Sequence, residues 1–289
     1  MELKNFHTHT TYCDGKNTAE EMILAAVNQG FTALGFSGHS HTSIDPSYCM
    51  TTADTRRYID EIKALRKKYA DKIRIYIGLE ADLYTDETDL SEFDYTIGSV
   101  HYVEVGGVYI PVDESPAQHQ TDYVNKYFGG SFISFSQAYY ENVAKLGEKI
   151  NPSFIGHFDL VTKFNENDCL FSTKDPRYIE AWQAAADELL KLNVPFEINT
   201  GAIARKCRVT PYPALDIAEY ITERGGEFIL SSDCHDADFL SCVKKISRTV
   251  SAYKQKRSRT VYTVLLRLHR TILKYPYALF FLFSKQALQ

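Results

Sequence analysis

Over residues 1–240 the chain alternates short apolar runs with longer amphipathic stretches. No other feature constrains its fold as much. An apolar run of about four to eight residues between turn signals is a buried strand, and apolar residues at helical spacing mark a helix. Residues 3–6 make a first strand. Thr18-Ala19-Glu20-Glu21 is a capping box; it opens a helix with Met22, Leu24, Ala25, Ala26 and Val27 on its apolar side, ending near Gly30. Residues 32–36 are a second strand, and Asp54 is placed to cap a helix carrying Tyr58, Ile59, Ile62 and Leu65. Strands follow at 73–79 and 95–100, then an insertion over 102–131 with Gly106-Gly107, Pro111 and Pro116, expected to hold a hairpin and a helix. Residues 132–150 are helical, 153–156 a strand, and Asp175-Pro176 starts a helix to about 192. Residues 194–198 are a strand, 213–224 a helix and 227–230 a last strand.

Alternating strands and helices imply a parallel sheet covered by helices. About seven such units in 240 residues fit a closed or nearly closed β/α barrel best; an open doubly wound sheet is second. No glycine-rich phosphate loop follows the first strand, which weighs against nucleotide binding.

Histidines and acids recur where the strands end. Two residues apart on a strand, His7 and His9 aim two imidazoles at one point. His39, Glu80, His101, His157, Asp233 and His235 each stand at or just past a strand end, and Asp14 can join them from the loop after strand one. Singly these residues have ordinary roles: a surface acid, a histidine bonded to backbone, a helix cap. Together they take six of the nine histidines to one rim of a barrel, the rim where barrel enzymes keep their sites. Imidazoles with few carboxylates suit Zn, Mn or Fe, whereas all-oxygen cages suit Mg or Ca. Nine ligands exceed the needs of one ion, so two or three divalent ions are expected, with a carboxylate such as Glu80 bridging. Clustered ions of this kind activate water and clamp a transferring phosphoryl group.

Charge divides the chain. Residues 241–289 hold eleven Lys or Arg and no acid, so residues 1–240 carry 21 basic against 37 acidic side chains, although the whole chain is at −5. The acidic body is not expected to bind nucleic acid. Three readings account for the tail: a surface-binding basic segment, an unusual docking helix, or a sequence altered by a reading-frame change near codon 240, the last being preferred. The expected domains are thus a barrel over 1–240 and an atypical basic segment over 241–289, frame-altered or disordered. Six scattered cysteines show no disulfide or zinc-ribbon spacing, no signal peptide is visible and no apolar run is long enough to span a bilayer; a cytoplasmic location is expected.

The motifs His7-Thr8-His9, Ser37-Gly38-His39, Gly78-Leu79-Glu80, Gly98-Ser99-Val100-His101, Ile155-Gly156-His157 and Ser232-Asp233-Cys234-His235 resemble those of the polymerase and histidinol phosphatase (PHP) superfamily. Tyr12-Cys13-Asp14-Gly15, Gly156-His157-Phe158-Asp159 and Asn199-Thr200-Gly201 resemble its histidinol-phosphatase branch. The resemblance covers about residues 1–240. It implies a distorted seven-stranded β/α barrel of TIM-like type, with three ligand groups: His7, His9, Glu80 and Asp233; Glu80, His101 and His157; Asp14, His39 and His235. Some relatives have histidine where this chain has Asp14. By the same resemblance His41, Lys163 and Arg205 contact the phosphate or substrate, with His41 a candidate proton donor and Lys206 and Arg208 left as surface charges. Glu80 and Asp233 are the ligands expected to matter most for catalysis. The implied reaction is hydrolysis of L-histidinol phosphate to L-histidinol and phosphate by a metal-activated hydroxide, a step of histidine biosynthesis. Competing expectations are a PHP-type phosphoesterase for phosphotyrosine or nucleotides, an amidohydrolase on a similar barrel, and a non-catalytic metal-binding protein.

Overall fold

The structure, a computed structural model, describes residues 3–86 and 88–240. In chain order its elements are β1 (Leu3–Asn5), α1 (Ala19–Asn28), β2 (Phe31–His39), α2 (Thr52–Lys68), β3 (Arg74–Asp82), β4 (Tyr95–Ser99), β5 (Tyr102–Val105), β6 (Val108–Pro111), α3 (Ala117–Phe128), α4 (Phe132–Val143), α5 (Leu146–Lys149), β7 (Phe154–Ile155), α6 (Pro176–Leu190), β8 (Phe196–Asn199), α7 (Gly201–Ala204), α8 (Leu215–Glu223) and β9 (Phe228–Ser231). Seven strands form one parallel sheet in the order β1-β2-β3-β4-β7-β8-β9, while β5 and β6 make a separate antiparallel hairpin.

The sheet curls until its two edges meet. His9 N–H donates to Cys234 O at 2.8 Å and Cys234 N–H to His7 O at 3.0 Å, a parallel bridge at Thr8–Cys234. Below it the Asn5 side chain stands in for missing ladder bonds. Its Nδ2 donates to Ser232 Oγ at 2.8 Å and its Oδ1 accepts from Ser232 N–H at 3.0 Å. The result is a nearly closed seven-stranded barrel, as expected, and not an open doubly wound sheet.

Strand alternation layers the interior. Along β3 the inward positions run Tyr76, Gly78, Glu80 and Asp82, while Ile75, Ile77, Leu79 and Ala81 are buried in the outer core with Tyr58, Ile59 and Ile62 of α2. Tyr95 crosses the middle of the barrel. Its hydroxyl donates to Phe6 O at 2.7 Å and Phe36 O at 2.9 Å, and its ring stacks on Phe154. This crossing needs glycine at two inward positions: a Cβ on Gly35 or Gly78 would lie 2.4 or 2.1 Å from Tyr95 atoms. Phe6, Ala33, Ile97 and Phe154 complete the apolar plug, so the polar groups above it sit over a dry floor.

Several boundaries differ from expectation. Helix α2 is capped by Thr51, whose hydroxyl accepts from Asp54 N–H at 3.0 Å. Asp54 lies in the first turn instead, where its charge favours the helix N-terminus; both types can cap, and they stand three residues apart. The 132–150 helix breaks after Val143 into α4 and α5. The four-residue α7 is too short to leave a periodic signal. Residues 241–289, and with them the basic-tail and reading-frame expectations, lie outside the described residues.

Candidate metal centre

Glu80 stands next to last in the inward row of β3, before Asp82, and is almost wholly buried at the C-terminal rim. Five imidazoles surround it. His7 Nε2 lies 3.1 Å from Oε2, His9 Nε2 at 3.4 Å and His39 Nδ1 at 3.0 Å; His157 Nε2 lies 2.9 Å from Oε1 and His101 Nε2 at 3.5 Å. Asp233, just beyond β9, brings Oδ1 to 3.6 Å from His7 Nε2, 3.4 Å from His9 Nε2 and 3.4 Å from His235 Nδ1. Its backbone takes a positive φ of 46°, which turns the carboxylate inward instead of continuing the strand. Asp14 meets the same group from the loop after β1, 3.1 Å from His235 Nε2, 3.5 Å from His9 Nδ1 and 3.6 Å from His39 Nε2. That loop turns tightly at Gly15, where a Cβ would lie 2.5 Å from Thr10 N.

All nine residues expected as ligands are therefore side by side, in groups that overlap. His157 falls with His7 and Glu80, His101 with His39 and Glu80, and His9 joins both His7 with Asp233 and Asp14 with His39 and His235. His101 and His157 approach Glu80 Oε1 from different sides, their rings edge to face at 5.1 Å.

The donor set fits divalent cations. His7 Nε2, His9 Nε2 and Glu80 Oε2 are buried with no hydrogen-bond partner. Buried polar atoms without partners are costly, and here the orphaned atoms are the ones that converge. A cation would satisfy all three together. Mixed imidazole and carboxylate ligands suit Zn, Mn or Fe.

A second ring of polar groups fixes these side chains, and sequence reasoning did not single it out. Glu197 of β8 is buried. It accepts from His7 Nδ1–H at 2.7 Å, from Ser231 Oγ–H, from the backbone N–H of His157 at 2.8 Å and from Asn199 Nδ2 at 2.9 Å. Asp82 accepts from His101 N–H at 2.9 Å and Nδ1–H at 3.0 Å, and Ser99 Oγ–H donates to Glu80 Oε1 at 2.7 Å. Such partners choose the tautomer and turn the free nitrogen to the cation. Glu197 and Asp82 carried a signal in the sequence, acids at inward positions near strand ends, but one shared with many surface acids.

Charges follow the geometry. Burial opposes a charge on His7, yet Glu197, Glu80 and Asp233 outweigh it and push the imidazole well above its usual range. Burial and the neighbouring His235 and His39 press His9 down to about 3. For Glu80, burial is outweighed by His7 and His39, and the carboxyl falls well below its usual range. Asp233 does the same, against burial, through Arg205 and His7.

The expected substrate contacts occupy three settings. Arg205 stands on the rim, its Nη2 donating to Asp233 Oδ2 at 2.9 Å and Nη1 to Asp233 O at 3.1 Å, with about a third of its side chain open to solvent. Lys163 is held by Asp113: Nζ donates to its backbone oxygen at 2.7 Å and to Oδ2 at 3.0 Å. His41 pairs through Nδ1 with Asp86 Oδ2 at 2.8 Å, outside the ligand groups. Arg208, expected at the surface, is buried. It donates to Thr162 Oγ1 and lies over the Tyr212 ring at 4.7 Å. The buried Asp159 carboxylate 3.9 Å away draws it inward.

The chain is similar to known proteins over most of its length. The model of the PHP domain family matches residues 5–201. A protein of Deinococcus radiodurans named probable histidinol-phosphatase is 30% identical over 274 residues, covering 88% of this chain and 98% of its own. One of the same name from Schizosaccharomyces pombe is 29% identical, with 79% of each chain covered. The solved hisK chain of Listeria monocytogenes shares the fold at TM-score 0.69 and 23% identity, over 87% of this chain and 100% of that one. Histidinol phosphate phosphatase of Lactococcus lactis subsp. lactis, solved with zinc, L-histidinol and phosphate, shares it at 0.61 and 20% identity, over 85% of this chain and 92% of that one. From its motifs, its barrel and its matched length, this chain belongs to the PHP domain family.

Proposed function

We propose that this protein is a metal-dependent phosphatase that hydrolyses L-histidinol phosphate to L-histidinol and phosphate. The observation that carries the proposal is the single rim where six histidines, Asp14, Glu80 and Asp233 meet, in a chain that spans nearly the whole length of a relative named for this activity. Two or three divalent ions held by these residues, zinc as in the Lactococcus lactis structure or manganese or iron, supply Lewis acidity and neutralise phosphate charge. Glu80 and Asp233 would be among the residues that hold them, and Asp233 also accepts from Arg205 beside it.

The protein's own groups do the rest. Arg205 offers guanidinium N–H donors toward an anion bound beside Asp233. Lys163 adds charge from the loop after β7. The buried floor beneath Glu80 keeps bulk water from below the rim and strengthens these interactions. His41, at the mouth and bonded to Asp86, is assigned proton delivery to the leaving alkoxide. This activity belongs to histidine biosynthesis, and the proposal includes a cytoplasmic location. No described helix is long and apolar enough to cross a membrane. Phosphate release by purified, metal-loaded protein from L-histidinol phosphate, phosphotyrosine and nucleoside monophosphates tests the proposal. Preference for L-histidinol phosphate supports it; preference for another ester overturns it.

A further inference from the structure

One acid at the mouth has no place in the ligand groups or in the ring that orients them. Asp113 closes the hairpin insertion. Strand β5 begins directly after His101, β6 returns, and Val112 N–H then donates to His101 O at 2.9 Å. The buried Gln120 of α3 holds Val112 from the other side through its carbonyl. Asp113 is thereby fixed next to Val112, the residue that pairs with the backbone of the ligand His101. Its side chain is about 31% exposed, so the carboxylate is anchored yet reachable from solvent. Among the described residues its one ion-pair partner is Lys163, which reaches only Oδ2. Burial disfavours its charge, but Lys163, His101 and His157 hold the carboxyl below its usual range. It is therefore an anion at neutral pH.

A carboxylate there is an odd feature for a site that binds phosphate. Cations, Arg205 and Lys163 all favour an anionic ligand; Asp113 repels it. The repulsion becomes useful if the rest of the ester carries positive charge. A like charge at the mouth rejects plain phosphate monoesters, and an ammonium on the alcohol portion is drawn in.

We propose that Asp113 is a specificity-determining residue, receiving the ammonium of an amino-alcohol phosphate while the rim binds its phosphate. The inference rests on the proposed function and adds a residue and a chemical rule to it. Lys163 holds the carboxylate in place through Oδ2, and the substrate ammonium binds through Oδ1.

The test compares kcat/KM for L-histidinol phosphate and its amine-free counterpart, 3-(imidazol-4-yl)propyl phosphate, using metal-loaded protein of measured metal content. The wild type is expected to prefer the amine-bearing ester by about tenfold or more, and Asp113→Asn to remove most of that preference. Lys163→Met should slow both esters in step and leave the ratio unchanged, which separates loss of ammonium recognition from loss of the Lys163 partner. An Asp113→Asn ratio equal to wild type, or no wild-type preference, overturns the inference. If both imidazole esters are inert while p-nitrophenyl phosphate is cleaved, the proposed function fails. Asp113 is then judged by the same ratio for O-phosphoethanolamine against ethyl phosphate: a preference lost in Asp113→Asn upholds its role, and an unchanged ratio overturns it.

Discussion

His7 donates its Nδ1–H to Glu197 Oε1 across 2.7 Å, and this bond turns Nε2 toward Glu80 and Asp233. The same carboxylate accepts the backbone N–H of His157. One acid outside the ligand set thus positions parts of two ligand-bearing strand ends. Glu197→Gln should lower metal affinity about 10–100-fold while the barrel stays folded. Competition titration with a chromophoric chelator reads this directly; wild-type affinity in the variant would remove Glu197 from that role.

Loss of a ligand should be more severe. His101→Ala or Asp233→Asn is expected to abolish phosphate release and leave the far-ultraviolet circular dichroism close to wild type. Normal turnover by either variant at verified metal content would refute its assignment.

Metal uptake should release protons. In the metal-free protein, His7 is held well above its usual range by its carboxylate neighbours despite burial. His101 is raised to about 9, where Asp82 and Glu80 outweigh burial. Both imidazoles are therefore protonated at neutral pH, and a cation must displace those protons. Affinity should rise with pH until about pH 9 and fall on acidification. Glu80 and Asp233, held low, stay ionised through that range. Calorimetric titration in buffers of different ionisation enthalpy should show about one or more protons released per chain at pH 7. Equal apparent enthalpies in all buffers would contradict this.

Arg205→Ala removes a charge-assisted bond to Asp233 and a phosphate donor together. KM for L-histidinol phosphate should rise about tenfold or more. An unchanged KM would take Arg205 out of the site.

The barrel interior gives a prediction independent of metal. A Cβ at Gly78 would lie 2.1 Å from Tyr95 Cζ. Gly78→Ala should cost about 3 kcal/mol, and Gly78→Ala combined with Tyr95→Ala should cost less than the two singly added. Chemical denaturation of the metal-free protein measures both; strict additivity would show that the two positions do not meet.

Strand ends were legible because their pattern is local. An apolar run followed by His or Glu announces both the strand and the side chain it delivers, so His7, Glu80, His101, His157 and Asp233 could be gathered without coordinates. The overlap of the groups could not, since it depends on barrel stagger: His157 also falls with His7, and His101 with His39. Glu197, Asp82 and Asp113 were illegible as functional groups for a different reason. An acid acquires its role from what it faces, and their partners lie up to 190 residues away in sequence. Arg208 follows the same rule, its burial being set by Asp159 and Tyr212 and not by its neighbours in the chain.

If the proposed function is right, cations held around Glu80 carry the chemistry. Elemental analysis of the purified protein, titrated from metal-free to fully loaded with L-histidinol phosphate turnover followed in the same samples, tests it most directly. Two or three divalent ions per chain are expected, with turnover that appears only as they bind. Turnover by the metal-free protein, or none at full occupancy, would contradict it.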